Sequence, residues 1–239
     1  MQKKKWKKFN ELTSKCYSHM AGFEKDSSCW FQAFELLKEL IIEERSNHPD
    51  FAPELELLDE ATDYRYDICG WLEDCLDEID MQEEQELLLK MCDDLLGLFS
   101  WPDYSGSDLK FRKSCALRAL GRKEASTEYC LAWLKAEPEN ISAATASVYS
   151  LIAVQNFDTA DKLVHQFIPH PSKCTDDNDI MFLAASRLYE ATGRKKEKKQ
   201  IDKAIQEYDE YLQCYFEGSP LSDGEEDILD FSDLELPFL

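Results

Sequence analysis

Residues 107–140, SDLKFRKSCALRALGRKEASTEYCLAWLKAEPEN, and residues 141–174, ISAATASVYSLIAVQNFDTADKLVHQFIPHPSKC, share one internal order. Each holds two segments of helical apolar periodicity, separated by a tight corner. Gly121 forms the first corner. Gln155 stands 34 residues later in the same local pattern, and Gly193 follows after another 38. A recurrence of this length is the signature of stacked helical hairpins, in which each pair buries its apolar face against the next. Helices are expected at 108–120, 123–135, 141–154, 157–168, 177–192 and 197–216. Short polar or Gly/Pro-containing links separate them, so successive helices are expected to be antiparallel neighbours.

These stretches resemble tetratricopeptide repeats. Leu120-Gly121-Arg122-Lys123-Glu124-Ala125 is similar to the family's turn between paired helices, and Pro138 matches the proline that closes a repeat. Phe157 and Ala160 match the aromatic and the small residue where the paired helices cross. Ser126 and Val148 depart from the pattern. A third unit, roughly 179–216, keeps Gly193 but carries Lys198 where a small residue is expected, which suits a divergent or capping unit. The resemblance covers the back half of the chain. It implies an all-α, right-handed solenoid of antiparallel helix pairs, about eleven helices in all. It also implies a protein-binding scaffold or adaptor that holds a peptide or partner protein on its concave face.

In that registration the first helix of each hairpin lines the concave side. Asp108, Phe111, Arg112, Cys115 and Arg118 form one line, Ser142, Thr145, Tyr149 and Ile152 the next, and Leu183, Arg187 and Glu190 the third. Arg112, Arg118 and Arg187 then make a positive strip. Guanidinium forks can hold a carboxylate through paired hydrogen bonds, while Tyr149 covers an apolar side chain. The competing expectation is that these arginines pair with neighbouring carboxylates and that Tyr149 is core packing.

Residues 1–106 read as an irregular helical region, 107–216 as the repeats and 217–239 as an acidic-hydrophobic tail. Residues 3–20 form a first helix whose lysine-rich start opposes the helix dipole, so its first turns are expected to fray. Ser27-Ser28 is expected to cap a second helix, with Trp30, Phe31, Phe34 and Leu37 on its buried face. Pro53 suits the first turn of another helix, and a bend is expected between Asp63 and Gly70. The turn 101–106 need not be a domain boundary, because one core can run through such a turn. Residues 218–239 carry seven acidic residues and no basic one, interleaved with Ile228, Leu229, Phe231, Leu234, Leu236 and Phe238. Such a segment can dock on the arginine strip, cap the last helix pair or remain solvated.

The formal net charge of -22, from 49 acidic and 27 basic side chains, disfavours nucleic acid and anionic membranes as partners. Nine cysteines with no close C-x-x-C pair fit neither a zinc ribbon nor a disulfide frame, and read as free thiols in a reducing cytoplasm. No signal sequence or run of 18 apolar residues is expected to direct the chain to or across a membrane. The basic run at 194–199 reads as a solvated helix start. No phosphate-binding glycine loop or serine elbow is present. His165, His170 and Cys174 straddle a helix end and do not share a face, and Glu44 with His48 lacks a complementary pair, so no metal or cofactor is expected. The chain is read as a binding protein, not an enzyme. The alternatives are a structural subunit of a homo-oligomer and an enzyme assembled across the acidic helices of the front half.

Overall fold

The back-half corners determine how the chain turns. Gly121 and Gly193 take φ values of 75° and 69°, and Gln155 takes 60°. At all three, the amide after the corner reaches back five residues. Arg122 N donates to Leu117 O at 2.9 Å, Asn156 N to Leu151 O at 2.9 Å, and Arg194 N to Tyr189 O at 2.8 Å. This closure satisfies carbonyls that the ending helix leaves free, and it needs a left-handed residue that glycine adopts without strain. Three copies of one corner therefore underlie the recurrence seen in the sequence.

The computed structural model describes residues 2–217. Among them, eleven α-helices follow in order: α1 Gln2–Met20, α2 Ser28–Asn47, α3 Leu57–Ala61, α4 Ile68–Met81, α5 Gln85–Leu98, α6 Ser107–Ala119, α7 Lys123–Ala136, α8 Ile141–Ala153, α9 Phe157–Phe167, α10 Asp179–Ala191 and α11 Lys195–Glu217. A short 3-10 turn, Pro102–Tyr104, precedes α6. An isolated parallel bridge joins Glu54 to Ser100, and no strand is formed among the described residues. The fold is all-α. The six back-half helices lie within two residues of their expected bounds. The tail, and every expectation placed on it, lies outside the described residues.

α6 packs on α7 and α8, α8 on α9 and α10, and α10 on α9 and α11. The first helices of the hairpins, α6, α8 and α10, thus stand side by side. α8 is the hub, and its composition explains why. Ala143, Ala144, Ala146, Ser147 and Val148 are all fully buried, and small side chains let helices approach on several sides. Asn140 fixes its start. Its Oδ1 accepts from Ser142 N at 2.9 Å and Ala143 N at 3.2 Å, while its Nδ2 donates to Ser107 Oγ at 2.9 Å and Glu137 Oε2 at 2.6 Å. One nearly buried amide thereby joins the start of α6, the end of α7 and the start of α8.

The front half is built on aromatic residues. The rings of Trp30 and Trp71 stack at 6.3 Å and 12°, and Phe9 meets Trp71 edge-on at 5.2 Å. Trp6 stacks on Tyr66 at 4.9 Å. The lysine-rich start of α1 is helical from Gln2, and Lys5 Nζ lies 2.8 Å from Glu43 on α2. This core continues through the 101–106 turn to Leu109, Ala116 and Leu117 of α6.

Three front-half expectations are corrected. Phe31 is 36% exposed, because it falls beside the face defined by Trp30, Phe34, Leu37 and Ile41; the ammonium of Lys90 lies 5.4 Å from its ring centre. Ser27 makes no side-chain cap, and Asp26 Oδ1 accepts from Ser28 N instead. Pro53 lies before α3 and starts no helix; its carbonyl accepts from Ser100 N at 2.8 Å. Arg45 pins this loop by donating to the carbonyls of Phe51, Ala52 and Leu98. The expected bend at 63–70 is present: α3 stops at Ala61, Asp63, Tyr64 and Asp67 take positive φ, and the Asp59 carboxylate accepts from Ile68 N and Cys69 N.

Candidate functional site

Side-by-side packing of α6, α8 and α10 turns residue spacing into a surface. On α6, Phe111, Cys115 and Arg118 recur at helical steps; on α8, Thr145 and Tyr149 do so; on α10, Ile180 and Leu183 complete the set. These seven residues line one open depression of about 350 Å³. Phe111 meets Tyr149 edge-on at 6.4 Å, and Leu183 is 49% exposed.

Arg118 sits in this apolar setting without a carboxylate partner among the described residues. Its Nη1 donates to Ser114 Oγ at 3.2 Å and Ser150 Oγ at 3.3 Å, and its Nη2 to Cys115 Sγ at 3.1 Å. Its guanidinium carbon lies 5.7 Å from the centre of the Tyr149 ring, a cation–π distance. Burial pushes the Tyr149 phenol above its ordinary pKa, and the Arg118 and Arg187 charges pull the other way. Behind Arg118 lies a buried hydroxyl cluster. Ser126 Oγ donates to Ser114 O at 3.0 Å and lies 2.9 Å from Ser150 Oγ, and Cys130 Sγ is 3.3 Å from Ser150 Oγ. Ser114, Ser126 and Ser150 are fully buried. Ser126, the departure from the small-residue pattern, thus joins α7 to α6 and α8. Neutral hydroxyls orient the guanidinium without neutralising it. Thr145 is also fully buried, and its hydroxyl has no hydrogen-bond partner among the described residues.

The other proposed strip residues are placed differently. Arg112 points toward α4, with Nη1 2.5 Å from Asp77 and Nε 2.7 Å from Asp108. Burial lowers the guanidinium's pKa, but these two carboxylates outweigh that effect and leave it raised. Arg187 donates to Glu190 at 2.8 Å on the exposed surface of α10. Of the twelve residues expected on the concave side, Phe111, Arg118, Thr145 and Tyr149 converge, while Ser142 and Ile152 do not line the depression. Asp108 and Arg112 form one ion pair outside the depression, and Arg187 and Glu190 form another. Cys115 and Leu183, named on the same helix faces, also converge. Ile180, Ser114 and Ser150 were not singled out, and Ser126 was marked only as a departure from the repeat pattern; Ile180 is one helical step before Leu183, whereas no local pattern marks Ser114 or Ser150.

A second depression lies between α4, α5 and α6. Leu72, Leu76, Leu95 and Leu109 contribute its apolar wall, and Glu54, Glu56, Glu73 and Asp108 its acidic rim. Among the described residues, no group of three or more His, Cys, Asp or Glu side chains is arranged to hold a metal ion, and no helix is long and apolar enough to cross a membrane. No protein-family model, curated protein or solved structure matches the chain.

Proposed function

We propose that the chain is a right-handed, tetratricopeptide-like stack of helix pairs that binds an extended segment of a partner protein along α6, α8 and α10. The observation that carries this reading is Arg118, a guanidinium held by hydroxyls in an apolar groove with no carboxylate partner among the described residues. A bound Asp or Glu side chain would take up its remaining donors, and Tyr149 and Phe111 would cover an adjacent apolar side chain. The repeated corners and the contiguous row of first helices support the solenoid reading. The net charge of -22 favours a protein partner over nucleic acid. This is a binding role with no bond made or broken.

The test is selection from a displayed random-peptide library on the full-length protein. Peptides combining an acidic residue with aromatic or branched apolar neighbours are expected to be enriched. Their affinity is expected to fall about 10- to 100-fold for Arg118→Gln, as for loss of a charge-assisted hydrogen bond worth about 1.5–3 kcal/mol. Tyr149→Ala is expected to weaken them as well. Enrichment of basic peptides, or equal affinity for wild type and both variants, would remove the groove from consideration.

A further inference from the structure

We propose that residues 221–239 of the same chain occupy the Arg118 groove and hold it closed to other partners. This inference rests on the groove being a peptide site, and it names the first occupant.

Complementary chemistry is the first support. Two of the three strip arginines already have carboxylates, and Arg118 has none among the described residues. Asp230-Phe231 and Asp233-Leu234 each set a carboxylate beside an apolar side chain, and the segment 218–239 contains no lysine or arginine to oppose docking. A carboxylate on Arg118 with a neighbouring phenylalanine or leucine against Phe111, Tyr149 and Leu183 satisfies both halves of the groove.

The second support is the direction in which the chain is delivered. α10 and α11 form an antiparallel hairpin through the Gly193 corner. Tyr208 and Tyr211 of α11 consequently lie beside Lys173, Cys174 and Asp176, just before α10 begins. Ile180 and Leu183, the α10 wall of the groove, belong to the first half of that helix. α11 therefore carries the chain to the end of the stack where this wall starts. The 22 residues after Glu217 span up to roughly 70 Å when extended, and adjacent helices are about 8–10 Å apart. Length permits a path across all three first helices. Tethering supplies an effective concentration on the order of millimolar, so even weak intrinsic affinity fills the groove, and a partner must displace the tail.

The experiment uses the full chain with Leu183→p-benzoylphenylalanine, irradiated as a mixture of isotopically light and heavy copies, with cross-links mapped by mass spectrometry. The expected product joins position 183 to residues 221–239 within one copy and disappears with Arg118→Glu. A second variant guards against misfolding at Arg118: Phe231→Ser with Leu234→Ser, outside the described helices, should also abolish the product. The same double variant should bind peptides selected on the groove about tenfold or more tightly than wild type does. A tail product formed from Tyr211→p-benzoylphenylalanine but not from position 183 would reassign the tail to the last helix pair. Mixed light–heavy products would assign it to a second copy. No tail product with unchanged peptide affinity, or a product indifferent to Arg118→Glu, would overturn the proposal. If selected peptides still require Arg118 while the tail products fail, only the tail proposal falls. If the peptides also lose their dependence on Arg118, the groove reading falls with it.

Discussion

At the residue scale, the three corners provide an internal comparison. Gly121 and Gln155 occupy equivalent places with φ near 75° and 60°, yet one is glycine and the other carries a side chain. A Cβ at Gly121 would meet nothing within 4 Å, so Gly121→Ala isolates the backbone cost of the left-handed conformation. That variant is expected to lose about 1 kcal/mol, whereas Gln155→Gly is expected to gain up to about 1 kcal/mol. Urea midpoints at unchanged denaturant slope are the measurement. A stabilised Gly121→Ala would show that the corner does not set the chain's direction there. The Gly121 and Gly193 corners were legible because glycine marks a left-handed residue. At Ala52, Asp63, Tyr64 and Asp67 the same conformation occurs without glycine, held in a loop region that Arg45 and Asp59 pin through side-chain hydrogen bonds. The bend at 63–70 was expected from Gly70, but which residues turn left-handed was not, because no glycine marks them and side-chain hydrogen bonds hold the loop. The partner of Arg112 was hidden because Asp77 is 35 positions away.

At the element scale, α2 and α5 are joined by a closed ring of charges. Lys38 Nζ lies 2.5 Å from Asp94 and 3.2 Å from Glu35; Lys90 Nζ lies 2.6 Å from Glu35 and 2.9 Å from Asp94. Burial raises the pKa of Glu35, but hydrogen bonds from Lys90 and Lys38 outweigh it and leave the carboxyl below its ordinary value. Asp94 is lowered by the same two lysines against the same burial. A carboxyl depressed in the folded state contributes stability above its unfolded pKa and loses it as pH falls through the folded value. The variant Glu35→Gln with Asp94→Asn is therefore expected to be less stable than wild type near pH 7. The gap should shrink once pH falls below about 4. Urea midpoints across that range would show it, and a pH-independent gap would exclude the ring as a titrating tie. Partial solvent exposure keeps the effect modest. The helix α2 itself was readable from apolar periodicity. This ring was not, because charge spacing within each helix does not reveal which helix lies opposite.

At the scale of the whole molecule, the all-α architecture and the faces of α6 and α8 followed from one recurrence of 34 residues. What that recurrence could not convey was which of the three strip arginines would have no carboxylate among the described residues, since this depends on α4 reaching Arg112 and on serines of three helices meeting behind Arg118. The paired indoles of Trp30 and Trp71 have a further consequence. Indoles 6.3 Å apart bring two strong ultraviolet transition dipoles close enough to couple, and dipoles skewed within their ring planes split the absorption into bands of opposite ellipticity. The folded protein is expected to show a circular-dichroism couplet superimposed on its helical spectrum. Trp71→Phe should erase the couplet while the helical bands persist; an unaltered difference spectrum would place its origin elsewhere. Trp30 lies on α2 and Trp71 on α4, so loss of the couplet in Trp71→Phe reports the packing of these two helices. The molecule thus contains its own chromophoric gauge, able to time assembly of the aromatic front without any attached dye.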